Sequence, residues 1–486
     1  MLTRRLFLVL SAASLGAAAC SSDSPDGGSD AEGDAPPDDT LGGTDAGGAD
    51  DGSGAADIVA QDASPDADDA TTETGVDDSV DAVDATEAGT DARVDAGPVE
   101  AVYDPTRPVK GPWTMVVGAT AIKLRVETAT AEPLRVTLTD AGGSTVTDTT
   151  ADATTERISL RWPPIGASDH PDIRGDHTLH DVLFTDLTPG ETYTVTLASD
   201  VLDPVTVSFR APPAPDQPFR AVWVADTMWP ESENTGRLAA SQTPDLFLHG
   251  GDIQYFSNPF DTWNGYFAYY RDVFSRAPAH HAIGNHEYED FDEYESHFVR
   301  LFGGQGEPDG TEEYFAFSYG CARFIFLNSE IDFGVAGSPQ SAWAEEAFRT
   351  ASEDASVKTI VVVFHRPYYS FGKSRPNLGA RAFFHDLCVR YGGRIVLTGH
   401  NHGYERFDVD GVAYIVDAGG GAILTDVNEI RDEIERERPD EIALRVIASR
   451  SYGATTLDFA ADGTITATRL STAGDVIDSY VVPPIR

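Results

Sequence analysis

Cysteine is scarce, three residues in 486, and Cys20, Cys321 and Cys388 fall in no spacing that a thiolate-built metal site would use. Basic residues are scarce too: 34 Lys and Arg stand against 80 Asp and Glu, a formal net charge of -46. A phosphate backbone needs a basic surface, so nucleic acid is excluded as a partner. The apolar run near the N-terminus is roughly a dozen residues, short of the ~20 that cross a bilayer as a helix. Aromatic residues are missing between Ser21 and Glu100, and no internal repeat is visible. Such a segment cannot offset the entropy of folding.

What is present begins with "MLTRRLFLVLSAASLGAAAC". A charged start, a short apolar stretch and small residues make an export signal over residues 1–20. Thr3 to Leu8 resembles the twin-arginine signal, which carries folded proteins across a membrane. Cys20, after Ala17-Ala18-Ala19, resembles the first residue of a bacterial lipoprotein, lipidated on cleavage; plain secretion is the alternative. Residues 21–101 hold 24 acidic residues against one basic residue, Arg93, about half of the net charge. Like charges stretch such a chain, which reads as a disordered tether.

Residues 102–214 change character. Short alternating runs such as "AIKLRVETA", "PLRVTLTD" and "TYTVTLAS" between turn residues predict an antiparallel β-sandwich of about seven strands. His170, His177 and His180 read as one strand histidine and two loop residues. "APPAPDQP" is a linker by its prolines. From residue 218 to 486, apolar runs alternate with amphipathic pieces such as "SAWAEEAFRTASED" and "GARAFFHDLCVRYG", the mark of an α/β layer fold. Cys321 and Cys388 lie in apolar segments and read as two buried thiols, with a disulfide between them as the alternative.

Five apolar runs of this second domain finish alike. "FRAVWVAD" ends in Asp226, and "PDLFLHGGDIQY" brings Asp252 and, three residues on, Tyr255. "HHAIGNHE" leads into Asn285 and His286, "KTIVVVFH" ends in His365, and "RIVLTGHNH" ends in His400 and His402. Open α/β sheets bind ligands at the carboxyl ends of their strands. Oxygen and imidazole ligands delivered there five times predict a metal site. Asp252 is the candidate bridge between two cations, because a carboxylate can serve both. A pair of cations clamps the oxygens of an in-line displacement and turns coordinated water into a hydroxide near neutral pH, chemistry suited to phosphoryl transfer to water.

The series Asp226, "GDIQY", "GNHE", "FH" and "GHNHGYER" resembles the calcineurin-like metallophosphoesterases, and within them the purple acid phosphatases with their N-terminal fibronectin type III-like domain. In that sandwich, "LTPGETYTVTL" resembles a tyrosine-corner stretch with Tyr193 as the corner. The resemblance implies two central mixed β-sheets flanked by helices. It implies one metal on Asp226, Asp252, Tyr255 and His402, and a second on Asp252, Asn285, His365 and His400. A phenolate with carboxylates favours Fe(III); two imidazoles and an amide oxygen suit Zn(II), Mn(II) or Fe(II). Where many of the superfamily use Asp-x-His, this chain has Asp226-Thr227-Met228, and Tyr255 is the candidate replacement. His286 is expected to face the substrate, binding phosphate or protonating the leaving alkoxide. Plant-type relatives carry further histidines past His365; here Arg366, Lys373 and Arg375 are the candidate cations instead. His249, His280, His281, His297 and His385 read as structural or surface residues. The expected activity is hydrolysis of small phosphomonoesters by an exported, lipid-anchored acid phosphatase. The alternatives are a phosphodiesterase or nucleotide hydrolase with the same centre, and a non-catalytic phosphate-binding surface lipoprotein.

Overall fold

The computed structural model describes residues 99–100, 103–160, 173–253, 262–288 and 298–485. The signal, Cys20, most of the acidic tether, His170, Tyr255 and His297 lie outside the described residues.

The first layer comprises β1 (Val99–Glu100), β2 (Lys110–Gly118), β3 (Ala121–Thr128), β4 (Arg135–Thr139), β5 (Thr145–Thr150), β6 (Asp152–Leu160), β7 (Ile173–Phe184), β8 (Thr192–Ala198) and β9 (Val205–Arg210). One sheet runs β1–β7–β3–β2 with β6 also on β7; the other runs β5–β4–β8–β9. Alternation builds the core: Ile122, Leu124 and Val126 of β3 and Val136, Leu138, Val195 and Leu197 of the second sheet are buried together. The described strands number nine rather than about seven. β5 is an edge strand of polar residues, mostly exposed, and so carries no alternating apolar signal. Tyr193 Oη accepts from the Thr188 amide at 3.0 Å. His177 and His180 both lie on β7, which corrects the reading of one strand and two loop histidines. They face polar partners, Nδ1 of His177 at 2.7 Å from Glu127 and Nε2 of His180 at 2.9 Å from Thr128.

The second layer holds β10 (Phe219–Val224), β11 (Leu246–His249), β12 (Ala279–His281), β13 (Phe315–Tyr319), β14 (Ala322–Phe326), β15 (Thr359–Val363), β16 (Gly393–Thr398), β17 (Tyr404–Val409), β18 (Val412–Asp417), β19 (Arg445–Ser449), β20 (Gly453–Phe459), β21 (Ile465–Ser471) and β22 (Val476–Val482). They form two mixed sheets, in the orders β12–β11–β10–β20–β21–β22 and β13–β14–β15–β16–β18–β17–β19. β10, β11 and β12 are parallel in the first, and β14, β15, β16 and β18 in the second. Residues two apart fill the space between the sheets: Ala221 and Trp223, Leu246 and Leu248, Val361 and Val363, Ile395 and Leu397. The intervening residues Val222 and Phe247 pack outward with Tyr266 and Tyr270, and Val362 and Val396 with Phe348 and Phe384 of two helices. Strands covered on both faces read as unbroken apolar runs, which is why these were legible. The two helices are Pro339–Glu353, capped by Ser338, and Leu378–Tyr391, capped by Asn377 and closed by Gly392 at φ 88. Cys321 and Cys388 are buried free thiols, not a disulfide.

The layers are joined by charge as well as by apolar packing. The Arg125 guanidinium binds Asp181 and donates to the carbonyls of Arg300, Leu301 and Gly303 at 3.1, 2.8 and 3.0 Å. Glu127, fully buried, takes Lys110 Nζ at 2.7 Å, His177 and Arg300.

Three further histidines sit in the core with polar partners: His249 beside Thr227, His280 on the Val116 carbonyl, and His281 on Tyr266 Oη. Burial pushes His249 and His280 down to about 3 and His281 well below its ordinary range. In the unfolded chain each takes a proton near pH ~6.5. Between those values the unfolded state binds more protons, so stability is present above ~6.5 and is lost as pH falls, by up to ~1.4 kcal/mol per unit for each histidine. Urea midpoints measured from pH ~7.5 down to ~4.5 should therefore decline steeply. A flat profile would contradict the burial of neutral imidazoles.

Candidate metal centre

The parallel strands of both sheets point their carboxyl ends at one rim. Asp226 follows β10, Asp252 follows β11, Asn285 follows β12, His365 follows β15, and His400 and His402 follow β16. The chain must turn sharply at each exit. Asp226, Asp252 and His400 do so with positive φ of 59, 53 and 70. Left-handed backbone is strained for residues with a Cβ, by about 1 kcal/mol or more each. The turns hold because they are tied to one another: Asp226 N donates to Gly251 O at 3.1 Å, Thr227 N to Asp252 O at 3.0 Å, and Gly399 N to His365 O at 2.9 Å. Glycine is required where a carboxylate lies against backbone. A Cβ on Gly284 would sit 2.2 Å from Asp252 Oδ1, and one on Gly399 2.4 Å from Asp226 Oδ2.

Nε2 of His365 is the geometric centre. Asp252 Oδ2 lies 3.1 Å from it, Asn285 Oδ1 3.2 Å and His400 Nδ1 3.2 Å. One proton cannot serve three such acceptors, whereas a cation can. The other nitrogen of His365 bonds the Gly250 carbonyl at 2.9 Å, which aims Nε2 inward. Alongside, His402 is aimed by the Ile423 carbonyl at 2.8 Å, and its Nε2 lies 3.5 Å from Asp226 Oδ1. The donor set of carboxylate, amide oxygen and imidazole therefore fits metal ions, with Asp252, His365 and His400 clustered closely enough to share one.

The electrostatics agree. Burial works against the charge on Asp252, but His365 and His286 outweigh it and hold the carboxyl well below its usual range. Burial would discharge His365, yet Asp252, and behind it Asp226, push it up to about 10. Burial and the charge of His365 drive His400 well down, while Asp226 overcomes the burial of His402 and raises it. Asp226 acts on His365 and Asp252 on His402, so the two sets form one electrostatic site.

His286 also comes to this place. Its amide donates to Asp252 Oδ1 at 2.9 Å, and its ring, one-fifth exposed, has Nε2 3.8 Å from Asp252 Oδ2. Of the three candidate cations only Arg366 stands at the site, Nη1 3.1 Å from His400 Nε2. Lys373 is exposed, and Arg375 pairs with Glu433 and Glu437. His385 bonds Tyr414 and Asp410 away from the centre. Tyr255 lies outside the described residues.

Two contributors were not read from sequence. Glu287 is fully buried and accepts the amides of Asp252, Ile253 and Gly284 at 2.9, 2.9 and 2.7 Å. It clamps the Asp252 turn to the Asn285 turn, and burial together with Asp252 pushes it up to about 7. Glu330 grips Arg366 Nε at 2.8 and 3.0 Å. Glu287 does follow "GNH", but nothing in that spacing announces a carboxylate that faces inward.

Residues 219–404 match the family model of the calcineurin-like phosphoesterases. Over 222 residues the chain is 30% identical to purple acid phosphatase 1 of Ipomoea batatas, covering 42% of this chain and 46% of that one. Over 196 residues it is 24% identical to "Probable inactive purple acid phosphatase 9" of Arabidopsis thaliana, covering 34% of this chain and 30% of that one. These matches span less than half the length of either relative. In three dimensions it resembles a purple acid phosphatase from yellow lupin (Lupinus luteus) seeds, with a TM-score of 0.60 at 20% identity over 77% of this chain and 74% of that one.

Replacing Glu287 by Gln keeps its size but removes an acceptor from the clamp. Metal affinity by equilibrium dialysis should fall about 10- to 100-fold, with far-UV circular dichroism unchanged. Affinity equal to the native protein's would show that the turns hold the site without it.

Proposed function

We infer that this chain, a purple acid phosphatase-like metallophosphoesterase, is a hydrolase of phosphoric ester bonds. The supporting observation is the ring of Asp252, Asn285 and His400 around Nε2 of His365, with Asp226 and His402 beside it. Asp226, Asp252, Tyr255 and His402 would hold one ion, and Asp252, Asn285, His365 and His400 the other. Fe(III) is the reading for the phenolate site, and Zn(II), Mn(II) or Fe(II) for the second. When bound, such ions polarise the ester and bring the pKa of a water towards neutrality.

The protein's own part is to position and to move a proton. Carbonyls of Gly250 and Ile423 fix the rings of His365 and His402. Asp252 and Asp226 concentrate negative charge that only cations relieve. His286, partly exposed beside Asp252, is the donor to the departing ester oxygen. Small phosphomonoesters are the favoured substrates, and diesters or nucleotides are the alternative. Among the described residues no helix is long and apolar enough to cross a membrane. A lipidated Cys20 with residues 21–101 as spacer would keep the enzyme near the cell envelope after export. The name of the Arabidopsis relative is the one support for a non-catalytic, phosphate-binding reading.

Purified protein with its metal content measured should hydrolyse p-nitrophenyl phosphate faster than the bis-ester. Protein holding about two metals per chain that turns over neither ester would overturn the enzymatic reading. His286→Ala should lower kcat about 10²- to 10⁴-fold with metal retained. Tyr255→Phe should abolish visible absorbance if an Fe(III)–phenolate is present; colour that survives would refute the phenolate assignment.

A further inference from the structure

We propose that Arg366 is the residue that grips the substrate phosphate, and that Glu330 holds it ready for that contact. The inference rests on the phosphoesterase reading and adds a specificity-determining residue to it. Arg366 stands two-fifths exposed at the rim, with Glu330, nearly buried, on its Nε at 2.8 and 3.0 Å. Glu330 is itself fixed: its amide donates to Asn328 Oδ1 at 2.9 Å, and Ser329 Oγ donates to its carboxylate at 2.9 Å. Ser329 Oγ also accepts the Arg366 amide at 3.0 Å. Backbone and guanidinium are thus both held, with Nη1 directed at the ring of His400.

Nη1 reaches His400 Nε2 at 3.1 Å, and among the described residues Nη2 has no hydrogen-bond partner. That contact with His400 does not persist in the working site. His400 turns Nδ1 inward, 3.2 Å from His365 Nε2. An imidazole whose Nδ1 is committed to a cation carries its remaining proton on Nε2, and a guanidinium has donors only. Two N–H groups would then face each other, so Nη1 must turn to an acceptor. The acceptor that a phosphoesterase brings to this rim is a non-bridging phosphate oxygen, and the planar fork of arginine matches two of them. Lys373 and Arg375 offer nothing comparable, being respectively exposed and paired with Glu433 and Glu437.

The test uses the metal-loaded full chain and inorganic phosphate as the probe. Isothermal titration calorimetry gives the phosphate Kd, and mass spectrometry gives metal content, for the native protein, Arg366→Met and Arg366→Gln. The glutamine variant keeps a polar, uncharged side chain should methionine disturb folding, which circular dichroism checks. Loss of a charge-assisted bond should weaken phosphate about tenfold or more, with metals retained and KM raised more than kcat is lowered. Phosphate affinity within about twofold of the native value, in variants that keep their metals, overturns the proposal while leaving the phosphoesterase reading intact. A fall in phosphate affinity that only tracks lost metal overturns it too, making Arg366 a support for His400. Native protein that holds metal but neither binds phosphate nor hydrolyses an ester overturns the parent reading, and the proposal with it.

Discussion

A carboxylate buried to 1% exposure, Asp252, is the constraint on which the α/β half depends. Burying an unpaired carboxylate is prohibitive, so its neighbours must answer its charge. His365 and His286 face its oxygens, and its turn hangs by its own amide on Glu287. His286 and Glu287 follow β12 and His365 follows β15, so satisfying Asp252 fixes how β11, β12 and β15 are placed. A site assembled this way resists piecemeal change. It is also preorganised: the rings of His365 and His402 are aimed by backbone carbonyls.

The same logic operates at the join with the sandwich. Glu127 is another buried carboxylate, here answered by Lys110, His177 and Arg300. Arg300 belongs to the second layer, and its neighbours Leu301 and Gly303 give their carbonyls to Arg125 of β3. Trp113 of β2 packs its ring 4.7 Å from that of Phe267, so apolar packing carries the join while the charges set its register. The first layer is thereby a wall of the α/β half rather than an appendage.

Legibility followed burial pattern. β10, β11, β15 and β16 are covered on both faces, and their apolar runs ended visibly at Asp226, Asp252, His365 and His400. β5 escaped notice because an exposed polar edge strand has no pattern. One of His177 and His180 was misassigned to a loop because β7 carries polar side chains whose partners, Glu127 and Thr128, lie on β3, far away in the chain. Glu287 and Glu330 were missed for a related reason. A carboxylate in a turn looks solvated until the fold shows three amides or a guanidinium pointing at it.

The sequence by itself determined which residue types arrive at the strand ends, and with them the class of chemistry. Residue identity and the alternation of apolar runs are local properties, written residue by residue. Tertiary structure alone decided which nitrogen of each histidine turns inward, that Glu287 joins two turns, and that Arg366 rather than Lys373 or Arg375 stands beside His400. Those outcomes depend on distances of about 3 Å between groups on different turns, and only the packing of two sheets against each other fixes such distances.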